Sequence, residues 1–447
     1  MATLGLSMIV KDSARDLGEC LASVRGVADE MVVADTGSRD ETREIAEAAG
    51  AKVIAIDWED DFAKARNQAL GEMTTDWVLV LDADERLDPE AGAVLPAMLS
   101  NRQAAGYQVR IRNYVTTMDH RIWDRPARAN DSEYEAGRRF PAYVEHENVR
   151  LFRRDPEIYF TGRVHETVGW RILERKGQIL ASKLVIHHMG MARPAEERAK
   201  KLVWYRELGR KKVEDMPENA QAHFELGVSE LENFGNAREA LESIERACRL
   251  NAKLGVAWFF AGICHARLGE NEKALECYHQ AEQAGHSSLL SEELKGDTNY
   301  NLGRFEGAAA NYRRGVKKNP ANASLESKLG LAEARIGRIA SGVSRMRRAI
   351  EKEPGNGELY DRLIQVEVWL KRPRDAAETA EEKLKLARVG PEDFVKAASI
   401  RAKLEEWEEA AKLLERGAGS FPDSERIRRF LHEVETAKMS QELQGKG

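Results

Sequence analysis

Three carboxylates, Asp82, Asp84 and Glu85, stand directly after the apolar run Trp77–Leu81. The run has the length and composition of a buried strand. Carboxylates at the mouth of such a strand are costly unless something cationic lies among them. Oxygen-rich clusters of this kind suit Mg²⁺ or Mn²⁺, often shared with a substrate's phosphates. Asp82-Ala83-Asp84 therefore suggests diphosphate chemistry, although acidic capping of a helix before Pro89 would use the same residues. Asp35 is a second candidate. It ends another apolar run and precedes Thr36-Gly37-Ser38. Gly37 permits a tight bend there, and Asp35 can accept hydrogen bonds from a base or ribose; a plain strand–helix turn is the simpler alternative.

The elements that must position these residues alternate along the first 190 residues. Strands are predicted at Leu4–Val10, Met31–Ala34, Lys52–Ile56 and Trp77–Leu81. Helical spacing appears at Leu17, Cys20, Leu21 and Val24. Ser38 with Glu41 forms a capping-box pattern opening a helix through Ala49. Phe62–Met73 reads as a helix capped by Asp60 or Asp61. This alternation predicts an open, mostly parallel α/β sheet, with ligands at the carboxyl ends of its strands. Asp35 and Asp82 are placed for that. Further strands are expected at Tyr107–Ile111, Val149–Arg153 and Leu184–His187. Between them runs a polar, aromatic stretch, 113–146, with Tyr114, Trp123, Tyr134 and Tyr143; long irregular segments of this kind are often functional.

From about residue 219 helical residues recur at an offset of 34. Leu268, Leu302, Ile336, Leu370 and Leu404 share one phase. Gly235, Gly269, Gly303 and Gly337 share a second, and Ala240, Ala274, Ala308, Gly342, Ala376 and Ala410 a third. Pro320, Pro354 and Pro422 fit the same ruler, as do Gly262, Gly296 and Gly330. A 34-residue period with small residues where paired helices cross is the tetratricopeptide signature. Six repeats are expected from Asn219 to Pro422, with a capping helix near Asp423–Lys438. Arg193–Glu214 reads as a charged amphipathic helix bridging the halves.

Composition narrows the classes. A chain of 447 residues with 42% apolar content carries two or three domains. A net charge of −6 argues against a nucleic-acid binder. Cys20, Cys248, Cys264 and Cys277 lack paired metal-ligand spacing and read as reduced core residues. With neither an 18-residue apolar run nor a signal-peptide pattern, a cytoplasmic location and no transmembrane segment are expected.

Seven segments, in order, resemble the family-2 glycosyltransferases of the GT-A fold. They are Ser7–Asp12, Val33–Thr42, Asp61–Asn67, Leu81–Glu85, Arg150–Arg153, Phe160–Glu166 and Ile186–Met191. The closest resemblance is to the bacterial subgroup with C-terminal tetratricopeptide repeats, which includes peptide S-glycosyltransferases. It implies a Rossmann-like nucleotide-diphospho-sugar transferase domain over 1–192. A bridging helix over 193–218 and an all-α tetratricopeptide-repeat solenoid over 219–438 would follow.

By this resemblance Asp35 would recognise the uracil of a UDP-sugar, with Ser38 and the backbone around Val10 and Lys11 beside it. Arg66 would lie near the nucleotide; an ion pair with Asp61 or Glu85 is its alternative role. Asp84 would ligate a Mn²⁺ or Mg²⁺ bridging the diphosphate, and Asp82 would contact ribose or metal. His188 would be a third ligand or a diphosphate donor, with His187 not separable from it. Glu166 is the candidate general base, His165 a residue orienting sugar or acceptor, and Glu145 and Glu147 are competing bases. Two departures stand out. Asp12-Ser13 replaces the usual Asn-Glu, and methionines occupy 189 and 191 where aromatics are usual.

The leading expectation is a metal-dependent inverting transfer from a UDP-sugar to a nucleophilic acceptor. The repeats would recruit a peptide or protein, or form a homodimer. Their aromatics Tyr278, Tyr312, Trp258 and Trp369 read mainly as packing residues. A glycan or lipid acceptor is the alternative, as is a non-catalytic nucleotide-sugar-binding scaffold. A phosphatase or nucleotidyltransferase would want further acidic ligands or a lysine.

Overall fold

The computed structural model describes residues 2–118, 121–122, 125–190 and 195–444; Trp123, Met191 and Arg193 lie outside them. The elements form two compact units, Met1–Cys264 and His265–Gly447.

The first unit opens with β1 (Leu4–Val10), α1 (Ala14–Ser23), β2 (Glu30–Asp35), α2 (Thr42–Ala48), β3 (Lys52–Ala55), α3 (Phe62–Gly71) and β4 (Trp77–Val80). It continues through β5 (Glu85–Leu87), α4 (Ala91–Ser100), β6 (Ala104–Val115), β7 (Arg121–Ile122), β8 (Arg125–Pro126), β9 (Arg128–Ala129), β10 (Ala142–Arg153), α5 (Gly169–Glu174) and β11 (Gln178–His188). The main sheet has the order β3-β2-β1-β4-β10-β6-β11-β5, with β9 on β10. Strands β3, β2, β1 and β4 pair in parallel. The expectation of a mostly parallel sheet holds for that half; the other half is mixed, with β11 parallel to β6. β10 inserts antiparallel between β4 and β6, and β5 runs antiparallel to β11.

The side-chain period of two divides the core. Leu4, Leu6, Met8 and Val10 pack with Trp77 and Leu79 on the face covered by Leu17, Leu21 and Leu95. Val78 and Val80 face the other way, onto Ala63, Ala69, Phe152 and Phe160. The predicted Ser38 capping box is corrected. The helix starts at Thr42, after Glu41, without a side-chain cap, because the Ser38 N–H is drawn to the Asp35 carboxylate. Asp61, of the two candidates, caps α3 by accepting from Lys64 N–H at 3.0 Å.

Helices α6 (Ala195–Asp215), α7 (Ala220–Asn233), α8 (Ala237–Leu250) and most of α9 (Gly255–Arg267) complete this unit. The second unit is helical throughout: α10 (Asn271–Gln283), α11 (Ser291–Asn301), α12 (Phe305–Lys318), α13 (Ala323–Arg335), α14 (Ile339–Lys352), α15 (Gly357–Trp369), α16 (Pro373–Lys383), α17 (Pro391–Lys403), α18 (Trp407–Ser420) and α19 (Glu425–Gln444). Within the units α7 packs on α8, α11 on α12, α13 on α14, α15 on α16 and α17 on α18, with α19 following on α18. The small-residue phase lies at the crossings. Ala240, Ala274, Ala308, Ala376 and Ala410 are fully buried, and a Cβ on Gly330 would come within 2.6 Å of the Gly342 carbonyl. The turn glycines at 235, 269, 303 and 337 are left-handed, and Lys371 and Glu405 keep that conformation in the next two turns. A side chain there costs backbone strain that the repeat geometry imposes.

Candidate functional site

Parallel pairing of β1 with β2 brings Val10 and Asp35 into register at their carboxyl ends. Thr36 ties the strands together, donating from N–H and Oγ1 to the Val10 carbonyl at 2.9 and 3.1 Å. Gly37 then turns with a left-handed φ of 101°. Asp35 is fully buried and accepts from the Ser38 N–H at 3.0 Å and from Arg43. Burial pushes its pKa up; Ser38 and Arg43 outweigh that and hold it below the usual carboxylate range. Asp12 closes the turn from the other side. Its N–H donates to Ser38 Oγ at 2.9 Å, and its carboxylate accepts from Arg39 N–H at 2.8 Å. Lys11 is exposed beside them.

Asp82, Ala83 and Asp84 form the turn after β4. Asp82 receives Arg66 Nη2 at 2.6 Å and Arg150 Nη2 at 3.3 Å. Arg66 Nε reaches Glu166, so one guanidinium joins two of the predicted carboxylates and pairs with neither Asp61 nor Glu85. Arg150 also binds Glu85 at 3.0 Å, and Glu85 accepts the Asp82 N–H at 2.8 Å. Burial raises Asp82, but Arg66 and Arg150 outweigh it and hold the carboxyl well below its ordinary range. Burial dominates at Glu85 and pushes its pKa up despite Arg150.

Asp84 lies on the other side of the turn, its Oδ1 3.5 Å from His188 Nε2. Its carbonyl accepts the Met189 N–H at 3.0 Å. Gly190 is required here, because a Cβ would overlap Asp84 Oδ2 and lie 2.6 Å from His188 Nε2. Asn113 sets the imidazole. Its Nδ2 donates to the Val144 carbonyl at 3.0 Å and meets His146 Nδ1 at 2.9 Å, which leaves Oδ1 to accept His188 Nδ1–H at 2.7 Å. In neutral His188 the free lone pair is then on Nε2, facing Asp84. Burial lowers the His188 pKa, and Asp84 with its acidic neighbours more than restores it.

His187, one residue earlier on β11, points to the opposite face. It is fully buried between Asp88, 2.9 Å from Nε2, and the Tyr114 hydroxyl, 2.9 Å from Nδ1, with Tyr134 stacked at 3.9 Å. Part of the aromatic 113–146 stretch thus packs around His187. Glu145 is paired with Arg112 at 3.2 Å, and Glu147 is exposed on β10.

The Phe160–Thr167 loop is held at both ends. Asn67 exchanges two hydrogen bonds with the Phe160 backbone, at 2.9 and 2.8 Å, and Thr161 bridges Thr167. Glu166 points to Arg66, whereas His165 turns away with a left-handed φ of 51° and approaches Glu225 of α7 at 3.4 Å. His165 is therefore apart from the Asp82–Arg66–Glu166 group. Helix α6 adds Tyr205 and Lys201, the ammonium 5.2 Å from the Tyr205 ring centroid. Lys201 lies in the field of Asp84 and Asp82, and Tyr205 in that of Asp82 and Glu166.

Mg²⁺ and Mn²⁺ commonly take one or two protein ligands plus phosphate oxygens and waters. Asp84 and His188 fit that pattern, with one carboxylate and one imidazole converging. Among the described residues no group of three or more His, Cys, Asp or Glu side chains could hold a metal ion by itself. Asp82 is instead committed to two guanidiniums. No motif in the sequence assigns a role to Arg150, Asn113, Arg43 or Lys201. Arg150 had a visible signal, a charge between Val149 and Leu151 in an apolar run; Asn113 had none beyond its place at the edge of the aromatic stretch. No helix is long and apolar enough to cross a membrane, among the described residues.

Comparisons with known proteins agree with this architecture. Residues 7–158 match Glycosyl transferase family 2, and residues 229–288 and 294–357 match the Tetratricopeptide repeat family. A TPR repeat-containing protein of Synechococcus elongatus is 41% identical over 179 residues, 40% of this chain and 38% of that protein. An uncharacterized glycosyltransferase of Rickettsia felis is 36% identical over 90 residues, 20% of this chain and 31% of its own. The SPbeta prophage-derived glycosyltransferase SunS of Bacillus subtilis is 22% identical over 166 residues, 37% and 34% of the two chains. The chain thus spans well under half the length of these relatives. A solved tetratricopeptide repeat protein from Parabacteroides merdae aligns with 53% of this chain and 96% of its own, at 18% identity and a TM-score of 0.42. The α/β sheet built around Asp35 and Asp82 thus lies in a segment that matches family-2 glycosyltransferases, and segments that match tetratricopeptide repeats follow it in the same chain.

Proposed function

We propose that this chain transfers a sugar, with inversion, from a UDP-sugar to a nucleophile on a peptide or protein. The observation that carries the reading is the convergence of Asp84 and His188, 3.5 Å apart at the carboxyl end of β4, in a sheet whose β2 ends in buried Asp35. The turn at Asp35, with Val10, Lys11 and Ser38 around it, binds the uracil and ribose. Asp84 and His188 would hold Mn²⁺ or Mg²⁺, which when bound neutralises charge on the departing diphosphate. Arg66 and Arg150 fix Asp82 and keep its carboxylate ionised. Glu166, steered by Arg66, removes the acceptor's proton at a carboxylate oxygen as the bond to the anomeric carbon forms and the bond to the diphosphate breaks. The repeats bring the macromolecular acceptor, since stacked repeats offer extended surfaces suited to it.

The test is a UDP-release screen over nucleotide sugars, with and without Mn²⁺, using wild type and Asp84→Ala. Release from one donor, stimulated by the metal and lost in the variant, is the expected result. No release from any donor, or equal release by both proteins, would sink the reading. A panel of peptide, lipid and oligosaccharide acceptors then decides the acceptor class, and exclusive use of lipids or saccharides would rule out the peptide.

A further inference from the structure

We infer that Lys201 of α6 binds the diphosphate of the sugar donor, so that the helix following the α/β sheet supplies one wall of the donor site. This rests on the sugar-transfer reading above and adds a donor contact from outside residues 7–158, the segment that matches the family.

Helix α6 is pinned to the loops around Arg66 and Glu166. Lys211 pairs with Asp60 at 2.7 Å, Lys212 donates to the Val164 carbonyl at 2.8 Å, and Asp215 pairs with Arg163. Trp204 packs on Trp58 and Phe62, its ring centroid 5.6 Å from each, and Tyr205 packs on Phe62 at 5.8 Å. Lys201, Tyr205, Leu208 and Lys212 recur at four, three and four residues, which sets them on one face of the helix. Leu208 and Lys212 are buried, so this face is turned inward. At a helical rise of about 1.5 Å per residue, Lys201 stands about 16 Å from Lys212 and about 6 Å beyond Tyr205. The face thus runs from Val164, past Phe62 at the start of the helix that carries Arg66, to Lys201. There the ammonium lies 5.2 Å from the Tyr205 ring centroid, and its charge is felt by Asp84 more than by Asp82.

Charge selects the ligand. Arg66 and Arg150 are engaged with Asp82, Glu85 and Glu166. The diphosphate of a sugar nucleotide carries two negative charges. A divalent cation held by one carboxylate, that of Asp84, has one positive charge to set against them, and Lys201 supplies the second. Lys201 is exposed, and its flexible stem lets the ammonium turn from the Tyr205 ring to a phosphate oxygen. Hydrogen bonds from an ammonium to a phosphate are of the strong, charge-assisted kind.

The experiment is calorimetric titration of the full chain with UDP and with uridine, in the presence of Mn²⁺. Lys201→Gln should weaken UDP binding about tenfold or more, the loss expected for a hydrogen bond to a charged group. Uridine has no phosphate, and its affinity should stay within twofold. Lys201→Arg keeps the charge and should hold UDP within threefold of wild type. Lys200→Gln removes the same charge from a different face of α6 and should leave both ligands within twofold. UDP affinity within twofold of wild type in Lys201→Gln, equal weakening of UDP and uridine, or the same loss in Lys201→Arg or Lys200→Gln would overturn the assignment. Failure of wild type to release UDP from any donor removes the sugar-transfer reading, whereas the ratio of UDP to uridine affinity judges Lys201 by itself.

Discussion

Gly190→Ala tests the geometry of the candidate metal site with a single methyl group. The added Cβ would sit 2.6 Å from His188 Nε2 and overlap Asp84 Oδ2. Real Cβ contacts essentially never fall under 3.0 Å, so His188 must give at least about 0.4 Å and Asp84 more. Metal–ligand distances tolerate about 0.2 Å. Relief by shifting the backbone instead strains the Met189 N–H bond to the Asp84 carbonyl, now 3.0 Å. Either route spoils the pair, and disturbances of this kind cost about 10- to 100-fold in metal affinity. The assay is Mn²⁺ titration by electron paramagnetic resonance with UDP present, beside the Mn²⁺ dependence of UDP release. The turn is at the surface of the sheet's carboxyl edge, so the thermal midpoint should hold within about 2–4 °C, the equivalent of roughly 1 kcal/mol. A variant with wild-type Mn²⁺ affinity and UDP release within twofold would refute the claim that Asp84 and His188 act together.

Removing Arg150 leaves buried Glu85 unpaired. Arg150→Ala should cost about 3–5 kcal/mol in denaturant unfolding, and a loss below about 1 kcal/mol would contradict that pairing. Burial, with Arg150 and His188 nearby, lowers His146 from 6.5 to about 4. The unfolded chain then binds the proton more readily, so this share of stability is complete above pH 6.5 and lost as the pH falls towards 4. Screening at a half-buried ring limits it to about 1–3 kcal/mol, and His146→Asn should flatten the stability–pH curve in that window. In the repeats, a Cβ on Gly342 would overlap the Gly330 carbonyl and lie 2.9 Å from the Ala334 nitrogen. Gly342→Ala should therefore destabilise the chain by about 1–3 kcal/mol, read as a lower midpoint in chemical denaturation.

Local physics made β1 to β4 legible. Alternation at Leu4–Val10, the bend at Gly37 and the acidic stop after Leu81 are all short-range signals, and the 34-residue ruler repeats one such signal six times. What could not be read depends on pairing between distant segments. β10 entering antiparallel beside β4 is a long-range event without a sequence mark. The same insertion carries Arg150 to Asp82, 68 positions away. Arg66 finds Glu166 across 100 positions, so proximity in sequence to Asp61 was misleading. His187 and His188 were inseparable because a strand sends neighbours to opposite faces, and only pairing with β5 and β6 decides which face is the site. Ser38 misled for a different reason. Its N–H had two uses, and the buried Asp35 carboxylate attracted it more strongly than a helix start did.

The two aspartates of Asp-x-Asp have different surroundings, and under the proposed sugar transfer charge gives them different roles. Four carboxylates gather here, on Asp82, Asp84, Glu85 and Glu166. The guanidiniums of Arg66 and Arg150 both lie on the Asp82 side, where they hold an ionised carboxylate in a fixed position next to Glu166. Asp84 faces an imidazole. A donor diphosphate approaching Asp84 brings like charge against like, at about 4 kcal/mol per pair of unit charges 4 Å apart in a surface-like medium. Lys201 offsets part of that. A divalent cation between Asp84 and the diphosphate would reverse the sign of the contact, whereas at Asp82 it would first have to displace two guanidiniums. The arginines thus argue for Asp84 as the carboxylate that meets the donor's metal, and for Asp82 as the anchor that keeps Arg66, and through it Glu166, in place.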